Sequence, residues 1–200
     1  MEQPSRKPKE PAGPIAINSD ELISVCGMRG TGKTTFTRTL VSGFQAEGVY
    51  VYAYDLTGEW EGVCDRTMAL YPNPAEWEQI AEMIWRRGNS VLICDECEPI
   101  LGQNARMGEY TKRLIWSGRH RGIGMIMNTR RTAAMSKEFF EGCQHIVIYR
   151  SNLTTTSRRT FRDLFGPDQM DKVNMINRLA PFHFLYYGNG QIRLCGPVGA

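Results

Sequence analysis

Residues 27–34, GMRGTGKT, limit what this 200-residue chain can fold into more than any other feature. They match the phosphate-binding pattern G-x-x-x-x-G-K-[ST] at every fixed position. The short apolar run LISVC precedes them, and a helix-compatible segment beginning KTTFTRTL follows. A strand, a glycine-rich turn and a helix in this order are the structural context that the pattern requires. The sequence therefore predicts a nucleotide-phosphate site at the start of a helix.

The residue types in this stretch suit phosphate chemistry. Glycines let backbone N–H groups turn inward around a β-phosphate, and the helix N-terminus adds partial positive charge. We expect the Lys33 ammonium to reach the β- and γ-phosphates of ATP and the Thr34 hydroxyl to ligate Mg²⁺. With ATP and Mg²⁺ as cofactors, the predicted nucleotide-binding residues are Gly27, Met28, Arg29, Gly30, Thr31, Gly32, Lys33, Thr34 and Thr35.

A second informative stretch, VLICDECEPI at residues 91–100, has two interpretations. Cys94 and Cys97 form a C-x-x-C pair, whereas Asp95 and Glu96 form a carboxylate pair after four apolar residues. A zinc site needs two further ligands at suitable spacing, and neither the other cysteines nor the three histidines supply a second paired motif. The carboxylate interpretation is therefore favoured, with Asp95 holding Mg²⁺ and Glu96 acting as general base on a water.

Strand-like and helix-like segments alternate along the chain. Apolar residues at 77, 80, 81, 84 and 85 form a helical stripe that Gly88 ends, and residues 57–73 are predicted to be a polar connection. The other predicted helices cover 33–48, 109–118 and 157–165, the predicted strands lie near 21–27, 49–54, 91–96, 122–129 and 145–149, and a hairpin covers 182–194. This order predicts an α/β fold with a mostly parallel central sheet, flanking helices and a C-terminal β-hairpin.

Composition limits the domain organisation, the cellular compartment and the kind of partner that the chain is expected to have. Residues 1–14 are rich in proline and charge, contain no apolar run, and are predicted to be a disordered tail before a single domain at residues 15–200. No apolar run approaches the roughly 18 to 20 residues of a membrane span. Six cysteines without a secretion signal indicate reduced thiols in a cytosolic setting. The net charge of +3 is compatible with a polyanionic partner.

Basic and polar residues flank the predicted strand at 122–129. Asn128, Thr129 and Arg130 lie at its C-terminal tip, which in a parallel sheet is close to the phosphate loop. These three residues are candidates for contact with the γ-phosphate or the lytic water. Arg119 enters from the opposite edge, where it would face a neighbouring subunit's nucleotide in a ring, and a transition-state arginine is worth about 10³ to 10⁵ in rate. A solvated basic face or a phosphate-contacting patch is the alternative interpretation.

The motif order resembles that of the FtsK–HerA group of P-loop motor ATPases, and a chain of this length resembles the genome-packaging ATPases of tailless, membrane-containing viruses. The stretch that carries the resemblance best is SGRHRGIGMIMNTRRT, residues 117–132. The resemblance implies a RecA-like P-loop fold, with Arg119 as a trans-acting finger. Arg130 and Thr132 stand where the family has Gln and Pro. Because arginine cannot accept a hydrogen bond from water, Asn128 shares the sensor assignment.

The resemblance also implies a function. It implies an ATP-hydrolysing motor, assembled as a homo-oligomeric ring such as a hexamer, that translocates double-stranded DNA into a preformed capsid. Capsid or membrane-vertex proteins would be further partners, and the host cytoplasm or the virion would be its location. Basic side chains contact DNA phosphates regardless of the base sequence. The positions predicted to make such contacts are Arg106, Lys112, Arg113, Arg158, Arg159 and Arg162.

Three alternative functions remain open at this level. A filamentous-phage assembly ATPase of the zonula-occludens-toxin type would extrude DNA, and such proteins usually carry a membrane span. A small P-loop kinase would need an acceptor pocket, whereas Glu96 directly after Asp95 favours water as the acceptor. A degenerate nucleotide-binding protein is disfavoured because Lys33 and Thr34 are both present.

Overall fold

An eight-stranded sheet with helices on both faces dominates the computed structural model, which describes residues 14–68, 72–102, 105–131 and 135–198. The strands are β1 Leu22–Cys26, β2 Tyr50–Tyr54, β3 Arg66–Met68, β4 Ser90–Cys94, β5 Ile123–Thr129, β6 His145–Tyr149, β7 Phe184–Gly188 and β8 Gln191–Cys195. The helices are α1 Lys33–Ala46, α2 Pro74–Arg87, α3 Glu98–Leu101, α4 Glu109–Ser117, α5 Lys137–Gly142, α6 Thr155–Phe165 and α7 Met170–Val173.

The strand order β3-β2-β4-β5-β1-β6-β7-β8 decides which loops meet. The first six strands of this order run parallel, and β7 and β8 continue the sheet as an antiparallel hairpin. The carboxyl ends of β4, β5, β1 and β6 therefore lie side by side at one edge. A switch in strand order at such an edge is where open α/β sheets place their ligands.

Buried strands are apolar on both faces because helices cover the sheet on each side. Helix α1 packs Phe36, Val41 and Phe44 against one face. Helix α2 packs Trp77 and Ile84 against the other, beside α4. Asn73 caps α2, since its side chain accepts a hydrogen bond from the Ala75 N–H at 3.0 Å. Two apolar layers thus fix the position of the sheet's carboxyl edge.

The predicted fold class is confirmed: the sheet is mostly parallel, helices flank it, and the β7–β8 hairpin ends it. The prediction for residues 57–73 was incomplete, because β3 at Arg66–Met68 adds an edge strand within that connection. Three residues are too few for period-two alternation to be visible in a sequence. The predicted tail at residues 1–14 lies outside the described residues apart from its last position, and the domain boundaries stay a prediction.

Candidate nucleotide-binding site

The loop between β1 and α1 has the backbone shape of a phosphate cradle. Gly27, Gly30 and Gly32 have φ of +152°, +73° and +111°, values that residues with a Cβ rarely adopt. A Cβ on Gly27 would lie 2.6 Å from the Tyr149 Cβ, so this position admits only glycine. Thr31 braces the turn by donating from its hydroxyl to the Met28 carbonyl at 2.8 Å.

The N-terminus of α1 is prepared for an anion. Its N-cap, Gly32, makes no side-chain capping bond, and the first turn carries no acidic residue, so the leading N–H groups are open to a phosphate. The Lys33 ammonium donates to the carbonyl oxygens of Gly27 and Met28 at 2.8 and 3.0 Å. Burial lowers the pKa of Lys33, although the nearby Asp95 opposes that shift.

Asp95 lies directly after β4, at the carboxyl edge beside the loop. It is 6% exposed, and its Oδ2 accepts hydrogen bonds from Trp60 Nε1 at 3.1 Å and from the Thr57 hydroxyl at 3.2 Å. Burial raises the pKa of the Asp95 carboxyl, and the hydrogen bond from Trp60 works against the rise. A buried carboxylate that faces a lysine at a phosphate loop is a suitable partner for a divalent cation.

The loop after β2 supplies site residues that the sequence did not suggest. Asp55 is 1% exposed and folds this loop by accepting hydrogen bonds from the backbone N–H groups of Thr57, Gly58 and Trp60 at 3.0, 2.8 and 2.9 Å. Thr57 and Glu59 consequently line the pocket. The signal was DLTG, an aspartate followed by residues that favour an Asx turn.

The donor set fits magnesium. The Thr34 hydroxyl donates to Glu59 Oε2 at 3.2 Å, and Asp95 lines the same pocket, so hydroxyl and carboxylate oxygens converge there. Mg²⁺ prefers such oxygen ligands, keeps several waters, and takes its remaining ligands from substrate phosphates. Among the described residues no group of three or more His, Cys, Asp and Glu side chains could hold a metal ion by itself.

Glu96 has a strained backbone and an ion-pair partner. Its φ is +52°, in the left-handed region that residues with a Cβ rarely adopt. Arg130 donates to the Glu96 carboxylate, and the two side chains are 52% and 33% exposed. The two residues predicted independently as sensor and general base are therefore in direct contact.

The tip of β5 brings the other two sensor candidates to the site. Asn128 is 1% exposed, and its Oδ1 accepts a hydrogen bond from the Thr37 hydroxyl at 3.0 Å. Within the described residues its Nδ2 makes no hydrogen bond of normal geometry. The amide is close enough to Asp95 to oppose the rise that burial causes in the pKa of that carboxyl. The Thr129 hydroxyl donates to Glu98 Oε1 at 2.6 Å. Asn128 is thus the better placed of the two to donate to a ligand.

The predicted residues divide into three groups by position: those that line the pocket, those that only shape its loop, and Arg119. A pocket of about 430 Å³ is lined by Arg29, Gly30, Gly32, Lys33, Thr34, Thr35, Thr57, Glu59, Asp95, Glu96, Asn128, Thr129, Arg130 and Phe182. Gly27, Met28 and Thr31 shape the loop without lining this pocket, and their contact with nucleotide stays a prediction. Arg119 is 63% exposed at the opposite edge of the sheet, where it pairs with Asp20 at 3.5 Å.

Other predicted features can be located as well. Cys94 and Cys97 are both fully buried, and the Cys97 thiol donates to the Asn128 carbonyl. The six basic positions offered for DNA are all exposed. Thr132 lies outside the described residues. None of the described helices is long and apolar enough to cross a membrane.

The sheet order, the cradle after β1 and the flanking helices define the fold of a P-loop NTPase. Among solved structures, the chain is similar to the genome-packaging NTPase B204 of Sulfolobus turreted icosahedral virus 2, solved with AMP, ATP-gammaS and AMPPCP. The TM-score is 0.79 at 16% identity, over 91% of this chain and 100% of B204. This similarity confirms, at the level of the fold, the resemblance to packaging ATPases.

Two further structures share the fold. The pCW3 conjugation coupling protein TcpA gives a TM-score of 0.60 at 14% identity, over 90% of this chain and 60% of that one. The N-terminal domain of zonular occludens toxin from Neisseria meningitidis gives 0.52 at 14% identity, over 66% and 78%. No protein-family model and no curated protein sequence matches the chain.

Proposed function

We propose that this protein is an ATP-hydrolysing motor that translocates double-stranded DNA, packaging a viral genome into a preformed capsid. The observation that carries the proposal is one pocket in which the Lys33 cradle faces a buried Asp95 followed directly by Glu96. The whole-chain similarity in fold to a genome-packaging NTPase supports it.

The residues of the pocket divide the work of hydrolysis. Mg²⁺, when bound, neutralises charge on the β- and γ-phosphates. Thr34, Glu59 and Asp95 would hold it, and the cradle N–H groups with Lys33 would bind the phosphate oxygens. Glu96 then takes a proton from the attacking water, a contribution of about 10² to 10⁴ in rate for general-base catalysis. The buried Asn128 amide is available to orient that water or the γ-phosphate.

Arg130 connects phosphate binding to the general base. An ion pair between side chains as exposed as those of Glu96 and Arg130 contributes about 0 to 1 kcal/mol, so it opens readily. A γ-phosphate offers the guanidinium a doubly charged, bidentate partner, which is the stronger contact. Arrival of the γ-phosphate therefore draws Arg130 away and leaves the Glu96 carboxylate to a water.

Arg119 is the residue for which the proposal requires a ring of subunits. The side chain lies at the sheet edge opposite its own pocket, is largely exposed, and is positioned by Asp20. It is assigned to the nucleotide of the neighbouring subunit in a ring, where it stabilises transition-state charge. The exposed basic residues on α4 and α6, together with Arg106 ahead of α4, are assigned to DNA phosphates.

The test is phosphate release from ATP with and without double-stranded DNA. Wild-type protein is expected to hydrolyse ATP faster with DNA, and the stimulation is expected to weaken as salt rises because phosphate contacts release counterions. Lys33→Ala is the matched control and should abolish both rates. Turnover that requires a small-molecule acceptor, and that DNA leaves unchanged, would contradict the motor and favour a kinase.

A further inference from the structure

An aromatic ring stands at the rim of the nucleotide pocket in a backbone conformation that phenylalanine rarely adopts. Phe182 has φ +62° and is 52% exposed. It follows Pro181 in a turn closed by the His183 N–H, which donates to the Ala180 carbonyl at 3.1 Å. A turn with proline at its second position and positive φ at its third normally carries glycine or asparagine there. The chain carries phenylalanine instead.

Strain of this kind is concentrated at the nucleotide pocket. The described non-glycine residues with positive φ are Asn89, Glu96, Phe182 and Asn189. Asparagine tolerates the left-handed region, which leaves Glu96 and Phe182 as the unfavourable cases. Both of these line the pocket. Unfavourable backbone conformations that cluster at a binding site are a pointer to function.

The sheet order places Phe182 on the far side of the phosphate loop from the metal end. Strands β5 and β4 lie on one side of β1, and β6 and β7 lie on the other. Asp95 follows β4, whereas Phe182 precedes β7. The ring borders the last loop glycine, since a Cβ on Gly32 would lie 3.2 Å from Phe182 Cδ1. A triphosphate with its γ end at Asp95 therefore extends its ribose and base towards Phe182.

We propose that Phe182 is a stacking platform for the base of a purine nucleoside triphosphate, an inference that rests on the proposed function. A ring that is half exposed offers a face to a ligand, and base–aromatic stacking is a strong contact for any nucleotide. A second aromatic ring lies at the same glycine: Tyr149 also borders Gly32, and it packs on Phe184 at 5.2 Å between centroids. Purines overlap more of the ring than pyrimidines do, so ATP and GTP bind more tightly than CTP.

The test measures binding of ATP, CTP and inorganic tripolyphosphate by calorimetry to wild type, Phe182→Gly and Phe182→Trp. Phe182→Gly is expected to weaken ATP binding about tenfold and to narrow the preference for ATP over CTP. Tripolyphosphate, which has no base, is expected to bind wild type and Phe182→Gly with equal affinity. Phe182→Trp keeps a stacking ring and is expected to bind ATP as tightly as wild type.

The glycine variant separates a lost contact from a damaged fold. Glycine suits the positive φ of this turn, so the melting temperature of Phe182→Gly should equal or exceed that of wild type. Unchanged ATP affinity in Phe182→Gly would overturn the inference and leave the proposed function intact. An equal loss for ATP and tripolyphosphate would also overturn it, because the ring would then shape only the phosphate loop. If wild-type protein bound neither ATP nor tripolyphosphate, the proposed function itself would be overturned.

Discussion

Asp55 offers a graded test of how the loop after β2 is built. Its Oδ1 accepts three hydrogen bonds, from the Thr57 N–H, the Thr57 hydroxyl and the Gly58 N–H, whereas its Oδ2 accepts one from the buried Trp60 N–H. Asp55→Asn can keep the first set and leave the Trp60 N–H facing an amide donor. An unpaired buried N–H costs about 1–3 kcal/mol, so we expect a loss of about 2 kcal/mol in the free energy of unfolding.

Asp55→Ala removes all four acceptor contacts. The Thr57 and Gly58 donors are partly buried and can bond to water in part, so they add about 1–2 kcal/mol to the cost of the unpaired Trp60 N–H. The expected order of stability is wild type, then Asn, then Ala, with about 3 to 4 kcal/mol between wild type and the alanine variant. For a domain of this size each 1 kcal/mol lowers the melting temperature by about 2–4 °C.

Denaturant titration and thermal melting measure the series, with Mg²⁺-dependent ATP hydrolysis as a second measurement. Hydrolysis is expected to fall in both variants, because Asp55→Asn displaces Trp60 and Asp55→Ala displaces Thr57 as well, and both side chains donate to Asp95. Asp65→Asn is the matched control: this exposed aspartate accepts from the Val51 N–H at 2.8 Å and lies outside the pocket. An alanine variant within 0.5 kcal/mol of wild type, or an asparagine variant less stable than alanine, would refute the reasoning.

Three further predictions concern chemistry. Glu96→Gln is expected to bind ATP and to lose about 10²-fold or more in hydrolysis, measured by single turnover, and a near-normal rate would place the base elsewhere. Burial raises the pKa of Asp95 above its unfolded value, so its charge destabilises the ligand-free fold increasingly as pH rises through the folded pKa. Asp95→Asn should therefore match or exceed wild-type stability at pH 7 in denaturant titrations while losing Mg²⁺-dependent hydrolysis, and a clear loss of stability would contradict this sign. Arg119→Ala mixed with Lys33→Ala is expected to regain ATPase activity in shared rings, whereas full activity of Arg119→Ala alone would exclude a role in trans.

The sequence predicted the parts of this structure that local pattern controls. The phosphate loop, the strand directly before Asp95 and the closing hairpin follow from glycine spacing, apolar runs and turn residues within a few positions of each other. Such signals need no knowledge of the rest of the chain. The mostly parallel sheet follows in turn from the alternation of strands and helices.

What the sequence did not predict depends on contacts between distant segments. Trp60 lies in a stretch that reads as a polar connection, yet it is fully buried and donates to a carboxylate 35 positions away. Glu96 and Arg130 were each predicted for the site, but their ion pair arises because β4 and β5 are neighbours in the sheet. Phe182 carries no motif at all, and its strain is visible only in the backbone angles.

The cysteines Cys94 and Cys97 can report on the stability of the site they flank. Both are fully buried, and burial raises the pKa of the Cys97 thiol well above its ordinary value, so the reactive thiolate is scarce while the chain is folded. An alkylating reagent will therefore modify them chiefly when β4 opens. Their labelling rate reports the free energy of that local opening, at the strand that directly precedes Asp95.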